Sequence, residues 1–290
     1  MTTTATIPRR VGRVPRPFNP WRLLLHVSFI AVLLLWVSPF VWMLASTFRP
    51  AVEAQRAPLA LFSATPTLEN LQRAWELGNF SRYFLNSLVV SLSTVVIVTL
   101  VTALAGFALG RRTFPGRLPL LALLGATLFL PQGYTVIPIY DLVGRLGLNN
   151  TLGGVTLALT GTGFVLYVFM FTAYFASLPR ELEEAALVDG TNIFQMFLYV
   201  MLPLARPIIA TVAILEFISS WNAFLLPLVL TFTRPELRTL GVGIYSFFGE
   251  NPVDWTALAA AATLCLLPVI LVFVLFQRAF VEGVAGAVKS

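Results

Sequence analysis

The sequence is poor in the residues on which most catalytic and metal sites depend. Its 290 residues include one Cys, one His and one Lys. A single Cys, Cys265, forms neither a disulfide framework nor a thiolate metal site. His26 stands alone at the start of an apolar run, whereas metal sites usually combine several ligands. A Walker A loop needs Gly-Lys, but Lys289 follows Val288. We therefore expect no cofactor on this chain and any ATP on another polypeptide.

Charged residues are also scarce. They make up 11% of the chain, against roughly 25% in soluble domains. Hydrophobic residues make up 58%, and the mean hydropathy is +0.85. These values predict an all-α integral membrane protein that lies in a lipid bilayer. The net charge of +6 would suggest nucleic acid in a soluble protein. In a membrane protein such Arg residues set the orientation, so no nucleic-acid partner is expected.

Long apolar runs organise the chain. Runs of about 20 residues are typical of transmembrane helices. Six are predicted, at Leu23–Phe48, Phe84–Leu109, Leu118–Ile137, Val155–Phe175, Ile208–Leu230 and Ala257–Phe276. The first is too long for a signal peptide and has no A-x-A site after it, so it is predicted to be an uncleaved anchor. The predicted segments are an N-terminal tail (1–22), a first transmembrane helix (23–48), an external loop (49–82), a transmembrane domain (83–277) that contains a loop at 177–206, and a C-terminal tail (278–290).

The basic residues predict the orientation. Twelve of the 19 Lys and Arg lie on the side of both termini and of the loop 177–206, and seven lie on the other side. Cytoplasmic connections carry the excess of Lys and Arg. Both termini and the loop 177–206 are therefore predicted to be cytoplasmic, in a multi-pass plasma (inner) membrane protein.

The loop after the fourth run is unusual because it is acidic. It reads "ELEEAALVDGTNIFQMFLYVMLP" from Glu181. We predict two short helices, with Gly190 left-handed at the end of the first and Thr191 capping the second. The first helix should carry Leu182, Ala185 and Ala186 on one face. Two interpretations follow: a connector on the membrane surface, or a docking helix for a partner. Membrane-surface helices are usually basic, so the acidic composition favours a protein partner.

The same loop carries a family resemblance. "EAALVDG", nine residues and then "VMLP" resemble the EAA loop of ABC importer permeases, with Val200 where Ile is usual and with Leu202 and Pro203 in place. "LFLPQGYTVIPIY", "LGLNNTLGG" and "SSWNAFLLPLVL" are similar to carbohydrate-importer permeases of the maltose type. The resemblance implies a type I ABC importer permease-like bundle. It also implies that the loop couples to an ATPase through Leu182, Glu184, Ala185, Ala186, Asp189 and Gly190.

Partners follow from the same resemblance. It implies two cytoplasmic ATP-binding subunits, which would hold ATP and Mg²⁺, and a second, related permease subunit in a heterodimer. It further implies an extracytoplasmic sugar-binding protein. The loop between Tyr245 and Trp255 would probe that protein, and the expected contact residues are Phe248, Gly249, Glu250 and Asn251.

Candidate pathway residues lie in the fifth run. Glu216 is the only acid within a predicted span, and a charge there should face the bundle or a cavity because lipid exposure is costly. It either contacts sugar hydroxyls or serves as a structural hydrogen-bond partner. Ser220, Trp221 and Asn222 follow it. Trp221 and Asn222 could stack on and hydrogen-bond to a sugar, although helix packing accounts for them at least as well.

Three other classes of function are alternatives to an ABC importer permease. A secondary transporter of a polar solute is the main alternative, but no internal repeat and one intramembrane acid are poor material for ion coupling. A membrane-embedded enzyme would need a paired catalytic or metal constellation. A structural scaffold is a third possibility. The sequence does not distinguish maltose, trehalose, other oligosaccharides, polyols and glycerol phosphate as substrates.

Overall fold

The protein is described by a computed structural model that covers residues 20–77, 79–245, 247 and 253–288. Within these residues the secondary structure is helical. The α-helices are α1 (Pro20–Thr47), α2 (Ala51–Arg56), α3 (Glu69–Leu77), α4 (Phe80–Arg111), α5 (Arg117–Thr127), α6 (Val136–Arg145), α7 (Leu152–Thr160), α8 (Phe164–Ser177), α9 (Glu181–Val188), α10 (Ile193–Met196), α11 (Leu202–Leu204), α12 (Arg206–Trp221), α13 (Leu225–Leu230), α14 (Leu240–Tyr245) and α15 (Trp255–Val288). Short 3₁₀ turns cover Gln132–Thr135 and Pro235–Leu237, and a π-helical turn covers Phe197–Met201.

The chain divides into two compact units, residues 1–42 and 43–290. The first contains most of α1, whose side chains are mainly apolar and are exposed up to its last turn, where Ser46 and Thr47 are buried. Such a helix suits a lipid environment, since it is hydrophobic on all sides. The second unit contains the remaining helices and the buried core.

Among the described residues, three helices are long and apolar enough to cross a membrane: α1, α4 and α15. Two bent pairs raise the number of possible spans in the described part of the chain to five. One pair joins α7 to α8 with a bend of 52°, and the other joins residues 193–204 to α12 with a bend of 78°. The six predicted spans therefore remain a prediction.

The third predicted run does not form one long helix. It is divided into α5, the 3₁₀ turn and the first residues of α6. Pro131 lies just beyond α5 in an extended conformation. Proline has no amide hydrogen, so Pro131 cannot donate to the carbonyl of Thr127, where α5 ends.

The segment predicted as the external loop contains regular structure that hydropathy did not indicate. It includes α2 and α3. Asn70 is fully buried, and its amide donates to the carbonyls of Thr47 and Arg49 at 2.9 and 2.8 Å. These bonds tie α3 to the chain just after α1.

Helix α4 organises the second unit, because it packs against α3, α7, α8, α12 and α14. Its most extensive contact is with α8. A Cβ added at Gly106 would lie 2.3 Å from the Cβ of Phe171, and one at Gly110 would lie 2.7 Å from the carbonyl oxygen of Thr172. The G-x-x-x-G pattern in α4 is therefore a packing surface within this chain.

The core beside this crossing joins α4 and α8 to the predicted coupling loop. Aromatic rings form its centre: Phe107 lies edge-on to Phe175 and 5.3 Å from Phe197 between ring centroids. The other buried members are Val98, Ala103, Tyr167, Phe171, Ala186, Met196, Met201, Ala205, Ile208 and Val212. The loop is thus built into the bundle on one side.

Candidate functional site

The α9–α10 turn has the predicted form with one correction. Gly190 has φ +78°, the left-handed conformation expected after a helix. The residue that caps α10 is Asn192, whereas Thr191 was predicted. Asn192 accepts from the amide of Gln195 at 2.8 Å, and the Gln195 side chain accepts from the Asn192 amide at 3.0 Å. The Thr191 hydroxyl instead donates to the Ala186 carbonyl at 2.6 Å, which closes the end of α9.

The predicted face of Leu182, Ala185 and Ala186 is divided. Ala186 is buried, and Leu182 packs against the same core, whereas Ala185 is exposed. Successive helical residues are about 100° apart, so Leu182 and Ala186 nearly coincide in direction while Ala185 lies to one side. The prediction that Ala186 faces a partner is wrong, because it faces the protein's own bundle.

An exposed apolar cluster at this turn was missed. Leu187 is 54% exposed and Val188 87%, and across the turn Ile193 is 58% exposed and Phe194 65%. These four side chains are here called the turn patch. Two exposed acids, Glu184 and Asp189, lie beside it in the sequence, and Glu181 is exposed at the opposite end of α9. The available signal was the pair of apolar dipeptides that flank "DGTN", since turn neighbours are usually polar.

The remaining acid of α9 has its partners inside the chain. Glu183 forms an ion pair with Arg111, and a second at 3.6 Å with Arg112. Both arginines stand at the end of α4. They lie 72 and 71 residues before Glu183, so no local pattern links them. This contact was also missed.

Glu216 is buried in α12, with 1% of its surface exposed. It lies within hydrogen-bond reach of the Tyr167 hydroxyl on α8. Within the described residues, its Oε1 has no hydrogen-bond partner. Gly163 opens space for this contact, because a Cβ there would lie 3.1 Å from the Tyr167 ring. The prediction that Glu216 faces the bundle interior agrees with this geometry.

The residues that follow Glu216 have different surroundings. The Ser220 hydroxyl donates to the Glu216 backbone carbonyl at 2.7 Å. Trp221 is 2% exposed, and its indole donates to the Cys265 carbonyl at 3.1 Å. Its ring stacks on Phe217 at 5.4 Å between centroids. Asn222 is exposed and donates to the Ile218 carbonyl at 2.8 Å. Glu216, Ser220 and Trp221 are therefore gathered in the core, and Asn222 lies outside it.

The remaining predicted site residues belong to the segment between Tyr245 and Trp255. Phe248, Gly249, Glu250 and Asn251 lie outside the described residues. Within the described residues, no group of three or more His, Cys, Asp or Glu could hold a metal ion.

Comparison with known proteins identifies the family of this chain. Residues 57–286 match the family described as "Binding-protein-dependent transport system inner membrane component". The diacetylchitobiose uptake system permease protein NgcG of Streptomyces coelicolor is 35% identical, over 90% of this chain and 86% of its own. The arabinooligosaccharides transport system permease protein AraQ of Halalkalibacterium halodurans is 32% identical, over 96% and 99%. The sulfoquinovosyl glycerol transport system permease protein SmoH of Agrobacterium fabrum is 32% identical, over 91% and 94%.

A solved structure shares the fold. It is a chain of a bacterial ABC transporter involved in the import of the acidic polysaccharide alginate, with a TM-score of 0.79 and 21% identity over 92% of this chain and 100% of that one. In this family ATP hydrolysis takes place on a separate subunit, and the complex also includes a substrate-binding protein. The chain belongs to the family of inner-membrane components of binding-protein-dependent transport systems, and it is a permease subunit of an ABC importer.

Proposed function

We propose that this permease imports a sugar or oligosaccharide. The support is that three of its relatives are named for substrates of one chemical class, namely diacetylchitobiose, arabinooligosaccharides and sulfoquinovosyl glycerol. All three are carbohydrates or glycosides and carry many hydroxyl groups. We place the chain in an assembly with a second, related permease subunit, two cytoplasmic ATP-binding subunits and an extracytoplasmic binding protein. ATP and Mg²⁺ belong to the ATP-binding subunits.

The turn patch is the proposed docking surface for an ATP-binding subunit, and it is the observation that carries the mechanism. Val188 exposes most of its surface in α9, which is not among the helices that could cross a membrane, and Phe194 is 65% exposed across the turn, at the start of the second bent pair. The acids beside the patch, Glu184 and Asp189, would meet basic residues around an apolar groove. A lipid surface would favour a basic helix, which α9 is not. Gly190 and the capping box on α10 hold the patch in shape.

Coupling through this surface gives each named residue a role. Leu182 and Ala186 anchor α9 in the bundle, so force on the turn reaches the core. Ala185 and Glu184 are exposed beside the patch and would line the contact with the ATPase. Orientation follows the same proposal: both termini and the α9–α10 turn lie in the cytoplasm, as the 12-to-7 distribution of basic residues favours.

Glu216 is the proposed pathway residue of this chain. Its unpartnered carboxylate oxygen could accept a hydrogen bond from a sugar hydroxyl if α8 and α12 separate. Ser220 and Trp221 are engaged within the bundle, so their contact with substrate would require α12 to move. Asn222 is already exposed at the end of the same helix. The segment Phe248 to Asn251 is the proposed contact with the binding protein.

The test is reconstitution of the complex in proteoliposomes with the ATP-binding subunits and the binding protein. A panel of mono- and oligosaccharides is first screened against the binding protein. Binding protein loaded with the matching sugar should stimulate ATP hydrolysis and uptake together. Uptake that needs no ATPase subunit and collapses with a proton ionophore would instead establish a secondary transporter. Stimulation by a non-carbohydrate solute alone would overturn the sugar assignment.

A further inference from the structure

Arg111 lies where three helices meet. Its side chain is 4% exposed and stands at the last residue of α4. The guanidinium donates to the carbonyl oxygens of Leu178 at 2.7 Å, Pro179 at 3.0 Å and Phe175 at 3.3 Å. It also forms the ion pair with Glu183. One side chain from α4 therefore holds both the end of α8 and the first turn of α9.

These contacts suit the helix ends that they reach. Phe175 lies in the last turn of α8, and Leu178 and Pro179 lie between α8 and α9. A cation near the last carbonyls of a helix is favoured by the helix dipole. Glu183 lies in the first turn of α9, where a negative charge is favoured. The planar guanidinium can serve both because its five donors point in fixed directions, whereas a Lys ammonium provides a single point charge.

Arg112 extends the junction to α10. It lies 3.6 Å from Glu183 and 3.7 Å from the sulfur of Met196. Its guanidinium carbon is 5.6 Å from the centre of the Phe107 ring, a cation–π geometry. Glu183 thus contacts two consecutive arginines, Arg111 at the last residue of α4 and Arg112 just after it.

The crossing beneath this junction is close-packed. Gly106 and Gly110 allow α4 to lie directly on the backbone of α8 near Phe171 and Thr172. Arg111 follows Gly110 immediately. The end of α4 is therefore held to α8 by backbone contact on one side of the junction and by the arginine on the other.

We infer that Arg111 is a positioning residue that clamps α9 to α4 and α8, so that the three helices move as one body. This rests on the proposed docking of the turn patch on the ATPase. Motion of the docked turn would then be transmitted to two helices. One is α8, which the chain connects directly to α9, and the other is α4, which Arg111 connects to α9. Without Arg111, α9 would still present the turn patch but would shift relative to α4.

Functional variants separate docking from transmission. In Arg111→Gln we expect ATP-binding subunits to remain bound and unstimulated hydrolysis to remain measurable. Stimulation by sugar-loaded binding protein should fall by about tenfold, within the usual range of coupling between sites. Glu183→Gln should give a smaller loss in the same direction, and Arg111→Lys should recover part of it. Arg117→Gln is the matched control, since Arg117 donates to the Leu109 carbonyl at 2.7 Å, a bond that joins α5 to α4.

A distance measurement tests the rigid body directly. Spin labels at Ala108 and Glu181, both exposed, are introduced in a Cys265→Ser background. With Arg111 intact, the distance between labels should stay the same and narrowly distributed with and without ATP. In Arg111→Gln the distribution should broaden. The measurement with Arg111 intact needs no clamp variant, so it remains decisive if Arg111→Gln fails to insert.

The outcomes distinguish the two proposals. If the wild-type chain does not bind an ATP-binding subunit, the proposed function fails, and the inference falls with it. If the subunit binds and Arg111→Gln keeps wild-type stimulation, the inference alone is overturned. A label distance that changes with ATP while Arg111 is intact also overturns the inference alone. Equal losses in Arg111→Gln and Arg117→Gln would show a general weakening of the end of α4 and would overturn it as well.

Discussion

Glu183 and Glu216 are both largely buried, but the groups that surround their carboxylates differ. Glu183 in α9 is 14% exposed and is met by two arginines. Glu216 in α12 is 1% exposed and has only the hydroxyl of Tyr167 within reach, with one oxygen unpartnered in the described structure. An ion pair with several hydrogen bonds holds its helices in one arrangement. A carboxyl with unused hydrogen-bonding capacity lets its surroundings rearrange around a new donor. The first region is suited to transmit force, and the second to respond to a substrate.

Helix α9, the α9–α10 turn and the ends of α4 and α8 are here called the coupling region. The strongest test of the contrast is at the exposed surface of this region, the turn patch. Val188→Asp places a charge at the centre of the turn patch, where Val188 is 87% exposed. Loss of a central apolar contact typically weakens an interface by about 2 kcal/mol or more, roughly 30-fold in affinity. We expect normal membrane insertion but little bound ATP-binding subunit and little uptake.

The matched control for this variant is Val52→Asp, which changes a 58% exposed valine in the segment between α1 and α3. Co-purification from membranes measures the bound subunit for both variants. Equal retention of the ATPase in Val188→Asp and Val52→Asp would remove the turn patch from the docking surface.

The foundation of the coupling region is the crossing of α4 and α8. Gly106→Ala would place a Cβ 2.3 Å from that of Phe171. Overpacking of this kind costs about 1–3 kcal/mol, so the melting temperature in detergent should fall. Gly153→Ala is the control, because the nearest atom to its added Cβ is 3.8 Å away. If both variants melt alike, α4 and α8 are not closely packed and the coupling region has no rigid base.

The two glutamates should differ in their effect on stability. Glu183→Leu leaves Arg111 buried without its anion, which should destabilise the protein by about 3–5 kcal/mol if the pair is fully desolvated and by less at its partial exposure. Glu216→Leu removes a buried carboxyl whose burial itself costs free energy, so its melting temperature should change much less. Sugar uptake by Glu216→Leu should nevertheless fall, because the variant has lost the carboxylate oxygen that is proposed to accept a hydrogen bond from a sugar hydroxyl.

Thermal melting and uptake are measured on the same preparations of these two variants. Glu216→Gln serves as the control that keeps an acceptor oxygen. Glu216→Leu with full uptake would make Glu216 a structural residue. A strong loss of melting temperature in Glu216→Leu would show that its carboxyl is as firmly engaged as that of Glu183.

A third carboxylate should show the smallest effect. Hydrogen bonds from the Ser63 and Thr65 hydroxyls, at 2.7 and 2.9 Å, hold the pKa of the Glu53 carboxyl below its usual range. A depressed folded pKa means that these bonds stabilise the segment above the unfolded pKa, and that the stability is lost as the pH falls through the folded pKa. The protection of amides in residues 53–65, expressed relative to the intrinsic exchange rate at each pH, should therefore fall at acid pH, and it should do so less in Glu53→Gln. Protection that stays constant across this pH range in the wild-type chain would contradict this.

What could be predicted from the sequence was local. The left-handed Gly190 follows from a Gly after an acidic helix, and the burial of Glu216 follows from the cost of a charge in lipid. The capping residue was misplaced by one position, because Thr191 and Asn192 are both good caps and only the Gln195 contact distinguishes them.

What could not be predicted depends on contacts between distant parts of the chain. Helical periodicity identifies a common side for Leu182 and Ala186 but does not say whether a partner or the protein's own core covers it. The Arg111–Glu183 pair joins segments that no pattern in the sequence connects. The division of the third run depends on Pro131, and hydropathy averages over such a residue.

The central claim is that the turn patch lies on an ATP-binding subunit in the cytoplasm. A photoreactive amino acid at Val188 in the assembled complex tests it most directly, with Tyr140 as the second position because it is 44% exposed and is predicted to lie on the opposite side. Illumination should give a covalent adduct with the ATP-binding subunit from Val188 and none from Tyr140. An adduct from Tyr140, or lipid as the only adduct from Val188, would contradict both the docking surface and the orientation.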